Sequence, residues 1–192
     1  MPEEDADMND RLNRLYLTII SRYKDYIEEK EGISIAELPS LVTPKSPAIV
    51  SKAEEIKLSF GNYEYDKCFY EASLKAFSFV KQMVREVTLP VEFWLLPEET
   101  IAFLMGDTFD RNVLLCSILI ALGNPSARVL VVSQNDSRKV YVHYDFNESS
   151  YLMNLEDRTR RFADIKELVA SLDMPEGAIA YDFNDKTYTD IG

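Results

Sequence analysis

The stretch MGDTFDRNVLLCSILIALGNPSARVLVV, Met105–Val132, decides the fold. It opens on a Gly-Asp turn. Asp107 or Thr108 can cap a helix running from about Phe109 to Leu122, because a short side-chain oxygen there accepts a first-turn amide. That helix is apolar nearly all round, so it belongs in the middle of a core. Gly123–Pro125 ends it. The pattern then changes from period 3.6 to period 2 over Ala127–Gln134, which marks a strand.

Downstream, Lys139–Phe146 and Ser149–Glu156 alternate in the same way and read as two more strands. Asn135–Ser137 and Asn147–Ser149 carry turn chemistry between them. The three strands are expected to form an antiparallel meander. Arg161–Leu172 reads as an amphipathic helix. Ala178–Asp185 and Lys186–Ile191 close the chain as a strand or hairpin. Upstream, Phe60–Val87 begins with a turn and becomes a long helix. Its expected buried stripe is Phe69, Tyr70, Ser73, Ala76, Phe77, Val80 and Val84. Thr88–Pro97 is apolar and bounded by prolines, with Trp94 inside it. Pro97, Glu98 and Glu99 suit the first turn of a short helix.

From Arg11 to Lys30 the apolar positions Leu12, Leu15, Tyr16, Ile19, Ile20, Tyr23, Tyr26 and Ile27 fall on one helical face, and Gly32 ends the run. Ile33–Pro47 holds three prolines and reads as an extended connection, with a short helix at about Pro47–Leu58. Helices come first, then a buried helix, then an antiparallel sheet with one covering helix. That order is α+β. The expected organisation is an N-terminal helical extension, residues 1–60, and an α+β core, residues 61–192.

The chain has 192 residues and a net charge of −12, a field that repels phosphate backbones, so nucleic-acid binding is not expected. The single basic cluster, Arg158–Arg161, reads as a solvated turn before a helix. Val113–Leu122 is the longest apolar run, far short of the ~20 residues that cross a bilayer. The acidic N-terminus, MPEEDADMNDR, does not read as a signal peptide, so none is expected. A cytoplasmic location and no membrane contact are the expectations. Two cysteines, Cys68 and Cys116, and one histidine, His143, give no zinc-ligand spacing, so no metal and no cofactor are expected. Both thiols should be reduced and buried.

The opening segment and the strands after it resemble the transglutaminase-like superfamily, relatives of the papain-type cysteine proteases. In that family the turn reads roughly Gly-Asp-Cys-x-Asp, and the Cys opens the core helix. An exit of the form LG-x-P-a-R-v leads into a strand. The next strand starts with the catalytic His, and the third ends with the catalytic Asp about fifteen residues later. Here Gly106–Asp110 (GDTFD) matches the turn and Ala121–Val132 the exit. Lys139–Val142 (KVYV) matches the second strand and Tyr151–Asn154 (YLMN) the end of the third. The resemblance covers roughly Leu74–Glu156.

By this resemblance all three triad positions are substituted: Thr108 for Cys, Lys139 for His and Asn154 for Asp. The family mechanism needs a thiolate whose pKa is lowered by an imidazole and a helix N-terminus. A threonine hydroxyl is far less acidic, lysine serves as a base only when strongly desolvated, and asparagine carries no negative charge. Cys116 lies two helical turns deeper than Thr108, roughly 12 Å at ~1.5 Å per residue. His143 lies about 13 Å along the strand from Lys139 at ~3.3 Å per residue.

The reading is a non-catalytic domain that binds a peptide or protein partner in a degenerate cleft. Asp107, Asp110, Arg111 and Trp94 are its cleft candidates. Asp110 also suits the positive helix end. Arg111 and Lys139 can together form a small cationic spot. Two alternatives stay open. One is an active amide hydrolase or acyltransferase using Thr108 and Lys139 or a displaced cysteine. The other is a purely structural interaction subunit using the aromatic-rich surface of residues 60–96. Sequence leaves the oligomeric state open.

Overall fold

The computed structural model describes residues 13–18, 20–26, 34–88, 93–134, 137–172, 174 and 177–191. Contacts divide the chain into two compact units. One is Met1–Ile33 with Thr88–Trp94, and the other is Ser34–Val87 with Leu95–Gly192. In the smaller unit, residues 13–18, 20–22 and 24–26 are helical. Leu12, Ile19, Ile27 and Gly32 of the expected N-terminal helix lie outside the described residues.

The larger unit begins with a short turn of helix rather than the expected extended connection. Ser34 takes an extended backbone, and the Glu37 carboxylate accepts its amide at 2.8 Å. The chain then runs into α1, Leu38–Leu41, whose two leucines are buried. Proline tolerates a first helical turn, which is why Pro39 does not prevent it. Helices α2 (Pro47–Leu58), α3 (Tyr65–Met83), α4 (Pro97–Phe103) and α5 (Thr108–Ala121) follow. Ile49, Ala53 and Ile56 of α2 are buried, and α2 packs on α5. Residues on both sides of position 60 thus share one compact unit.

Every residue from Phe109 to Leu119 is buried, so α5 is the central helix its composition requires. On α3 the buried face is Phe69, Ala72, Ser73, Ala76 and Val80. Tyr70 is exposed and Phe77 half-buried, because the stripe turns toward the small residues that let α3 approach the core closely.

A six-stranded antiparallel sheet lies against these helices in the order β6-β5-β4-β3-β7-β8. The strands are β3 (Arg128–Gln134), β4 (Ser137–Phe146), β5 (Ser149–Met153), β6 (Thr159–Phe162), β7 (Ile179–Phe183) and β8 (Tyr188–Asp190). The β3–β4–β5 meander is the one expected. β6 takes part of the segment expected as turn and helix, because Thr159–Phe162 pairs with Ser150–Met153. Helix α6 therefore starts only at Ile165, capped by Asp164.

Strand pleating sorts the side chains onto two faces. On one face Tyr144 of β4 bonds Ser73 of α3 at 2.8 Å, and Phe183 of β7 stacks on Phe109 of α5 at 5.9 Å. Val140 and Val142, in step with Tyr144, are buried there. The opposite face packs Leu130 and Leu152 under Leu168 of α6, with Tyr141 and Phe162 beside them. No helix among the described residues is long and apolar enough to cross a membrane.

Candidate functional site

Two short strands, β1 (Arg85–Glu86) and β2 (Met105–Gly106), pair in parallel just before α5. The Arg85 amide donates to the Leu104 carbonyl at 2.8 Å, and the Val87 amide to Gly106 at 3.1 Å. This pairing, absent from any local sequence signal, sets Glu86 over the first turn of α5. Gly106 permits it: a Cβ there would stand 2.9 Å from Asp110 Cβ and 3.2 Å from Thr100 Cγ2. Leu104 absorbs the bend in a left-handed conformation, φ 51°.

Asp107, not Thr108, is the cap. Its carboxylate accepts the Asp110 amide at 2.8 Å, and Asp110 accepts the Asp107 amide at 3.0 Å. The second Asp110 oxygen accepts the Leu95 amide at 2.9 Å. Burial pushes the Asp110 carboxyl up to about 7, and the neighbouring Asp107 charge adds to this, against the amides that favour the ionised form. A carboxyl raised in the folded state is still protonated there while the unfolded chain has already ionised. Its stabilising contribution is therefore lost as pH rises from the ordinary carboxylate range through about 7. Asp107→Asn keeps a capping oxygen and removes the like charge. Urea melts across that pH range should then show a shallower loss of stability with rising pH. An unchanged slope would mean that the Asp107 charge plays no part.

The Thr108 hydroxyl donates to Glu86 Oε1 at 2.9 Å, and Arg111 donates to the other Glu86 oxygen at 2.5 Å. Arg111 is buried, and it also reaches the Lys81 carbonyl at 3.5 Å. Its Nε and the Oδ1 of Asn112 are buried and find no hydrogen-bond partner among the described residues. Glu86 was not singled out in the sequence, because nothing local marks an exposed glutamate as the partner of a buried arginine 25 residues on. Met83, Phe103, Leu104 and Met105 flank the β1–β2 pair with their side chains largely exposed.

The other sequence-predicted positions lie elsewhere. Lys139 is exposed, and its parity with Tyr141 turns it to the α6 face of the sheet, away from α5. Asn154 ends β5 in a turn, where its side chain accepts the Glu156 amide at 2.9 Å. Thr108 and Arg111 are thus brought together, with Asp107 and Asp110 beside them, whereas Lys139 lies on the α6 face of the sheet and Asn154 in the turn after β5. Trp94 is half-buried in the smaller unit.

The two thiols are free. Cys116 is fully buried, and burial pushes its thiol well above the ordinary range. Cys68 is half-buried rather than buried, with its sulfur 3.9 Å from the Asn62 carbonyl. His143 faces the α6 side and is held by Asp182 at 3.0 Å. The other Asp182 oxygen accepts Arg128 Nε at 2.7 Å, and Arg128 also reaches Thr187 and Thr189. Burial works against ionising Asp182, but the His143 bond, the His143 charge and Arg128 together hold its carboxyl below the ordinary value.

No family model and no curated protein matches the chain. Solved structures do. LapG of Legionella pneumophila matches at 16% identity and a TM-score of 0.54, covering 81% of this chain and 87% of LapG. Its EGTA-treated form matches at 17% and 0.53 over 81% and 84%. Its calcium-bound form matches at 17% and 0.50 over 74% and 90%.

Calcium takes six to eight oxygen ligands. The carboxylates beside Thr108 do not fit that demand: Glu86 holds Arg111 and Thr108, and Asp107 and Asp110 hold backbone amides. Among the described residues no group of three or more His, Cys, Asp or Glu side chains gathers to hold a metal ion. The likeness to LapG, at this identity, is one of architecture: the chain has an α+β fold of transglutaminase-like type.

Proposed function

We propose that this chain is a non-catalytic transglutaminase-like domain that binds a peptide or protein segment at the surface around Thr108, in the cytoplasm. One observation carries the reading. At the N-terminus of the central helix, where the family mechanism needs a thiolate, a threonine hydroxyl is tied to a carboxylate. A hydroxyl that donates to Glu86 has a hydrogen-bonded carboxylate beside it but no imidazole to relay the proton. Both cysteines and the lone histidine are placed elsewhere.

The surface beside Thr108 supports binding. Phe103 is 60% exposed, with Met83, Leu104 and Met105 around it, an apolar patch of the kind that marks contact sites. Strand alternation turns the Glu86 amide and carbonyl away from β2, leaving an edge on which an extended segment can add.

The test has two arms. Incubation with unstructured protein substrates should yield neither cleavage nor glutamine–amine exchange above buffer. Turnover abolished by Thr108→Ala would overturn the non-catalytic half. Phe103→Asp, at a surface position, should weaken capture of peptides selected from an extended-peptide display by at least tenfold, about 1.4 kcal/mol. Equal capture by the variant would overturn the binding half.

A further inference from the structure

We infer that β6 is a docking edge for an acidic, extended segment of a partner protein, which adds to the sheet as its next strand with two consecutive carboxylates against Arg160 and Arg161. β6 ends the sheet, and no strand among the described residues pairs beyond it. The register fixes which of its backbone groups are free. The Asn154 amide donates to the Arg158 carbonyl at 3.2 Å, and Leu152 and Ser150 pair in the same phase with Arg160 and Phe162. Antiparallel pairing alternates, so the amides and carbonyls of Thr159 and Arg161 point away from β5. None of them finds a hydrogen-bond partner among the described residues.

Arg158, Arg160 and Arg161 crowd three cations into one short run of a chain with 33 acidic and 21 basic residues, and all three are exposed. Pleating sends Arg161 to the face of Tyr151 and Arg160 to the face of Phe162, so an added strand meets a cation on each face. Asp157 accepts Arg160 at 3.0 Å and stands 3.9 Å from Arg158. Arg161 has no carboxylate partner among the described residues. Its Nε and Nη2 donate to the Ser149 hydroxyl at 3.0 and 2.8 Å, which holds the guanidinium in place without neutralising it. Lys81 adds a cation at the same end, its Nζ donating to the Asp157 carbonyl at 2.5 Å.

Charged residues along an edge guard it against a second copy, because like charges set opposite each other repel. The same charges select a strand of opposite sign. A nucleic-acid backbone is the poorer match: the net charge of −12 repels a long polyanion, while a short acidic peptide meets mainly the local field. Main-chain bonds then supply affinity and alternate side chains specificity. Antiparallel addition, as throughout this sheet, sets successive peptide residues against Phe162, Arg161, Arg160 and Thr159. That order calls for a β-branched residue, two carboxylates and a second β-branched residue.

Fluorescence anisotropy of the full chain with a dye-labelled peptide centred on Val-Glu-Glu-Val is the test. The expected result is binding that weakens about tenfold in Arg160→Gln/Arg161→Gln, where two cross-strand charge pairs are lost. Arg160→Glu/Arg161→Glu should release this peptide and bind Val-Lys-Lys-Val instead, which also shows that the variant is folded. N-methylation of the first glutamate, whose amide faces Arg161, should abolish binding, while methylation of the second, whose amide faces away, should spare it. No binding by the wild type at about millimolar peptide overturns the inference. So does binding indifferent to the arginines or to both methylations. So does a single-stranded oligonucleotide that binds more tightly than the peptide through the same arginines. So does a dimer of the chain that either arginine substitution breaks, which would seat a second copy on the edge.

Discussion

Asp182→Ala will destabilise the fold by about 3–5 kcal/mol, the range for removing one partner of a buried ion pair. Two side chains depend on that carboxylate. Arg128 donates to it through Nε and His143 through Nε2, and Asp182, Arg128 and His143 are all largely buried on the sheet. Removing it leaves the guanidinium with neutral partners, Thr187 and Thr189, and an imidazole whose Nδ1 finds no partner among the described residues then loses its Nε2 bond as well. Asp182→Asn keeps the volume and one acceptor and should cost less.

The pH dependence has a definite sign. The Asp182 carboxyl is lowered in the folded state, so its contribution is present above the unfolded value, 3.8, and is lost as pH falls through the folded value. Asp182→Ala should flatten that acid limb. Urea midpoints of both variants at neutral and acid pH check it, and a loss below about 1 kcal/mol at neutral pH would show that Arg128 is satisfied without the carboxylate.

Phe69→Ala will cost about 3–5 kcal/mol, the transfer term plus the cavity that remains. Phe69 is fully buried on α3 and meets Tyr65 at 5.0 Å, Phe146 at 5.2 Å and Tyr144 at 5.3 Å. It is the ring through which α3 grips the sheet. Collapse around the cavity is limited, because Tyr144 is tied to Ser73 through its hydroxyl. Phe69→Leu should cost much less, since most of the volume stays. A double-mutant cycle with Tyr144→Phe, read by chemical denaturation, should reveal coupling between the two. Strict additivity would mean that the Tyr144–Ser73 hydrogen bond does not restrain collapse around the cavity.

The buried helix and the meander were legible from the sequence because their causes are local. A run from Val113 to Leu122 whose single polar residue is Ser117 has only one stable environment, and alternation over Ala127–Gln134 and Lys139–Phe146 marks strands. The chain end was legible as a strand or hairpin for the same reason, and β7 and β8 pair as a hairpin. β6 was not: Thr159–Phe162 carries two exposed arginines and becomes a strand only because β5 offers it an open edge.

The candidate site divides along the same line. Spacing and turn chemistry placed Asp107, Thr108, Asp110 and Arg111 together at the start of α5, since neighbours on one helical turn must share a place. Which of them caps, and what the others bind, was decided by chain segments far away. The parallel β1–β2 pair carries Glu86 to Thr108 and Arg111, and Leu95 delivers its amide to Asp110. Lys139 shows the limit most clearly. Counting residues along a strand sets its distance from His143, but the direction in which it points is set by pleating against helices elsewhere in the chain. Local sequence thus determined the periodic elements and which of them is central, while β6 and the β1–β2 pair needed a partner strand. Only tertiary pairing decided which side chains meet, because a hydrogen bond between distant residues has no periodicity to announce it.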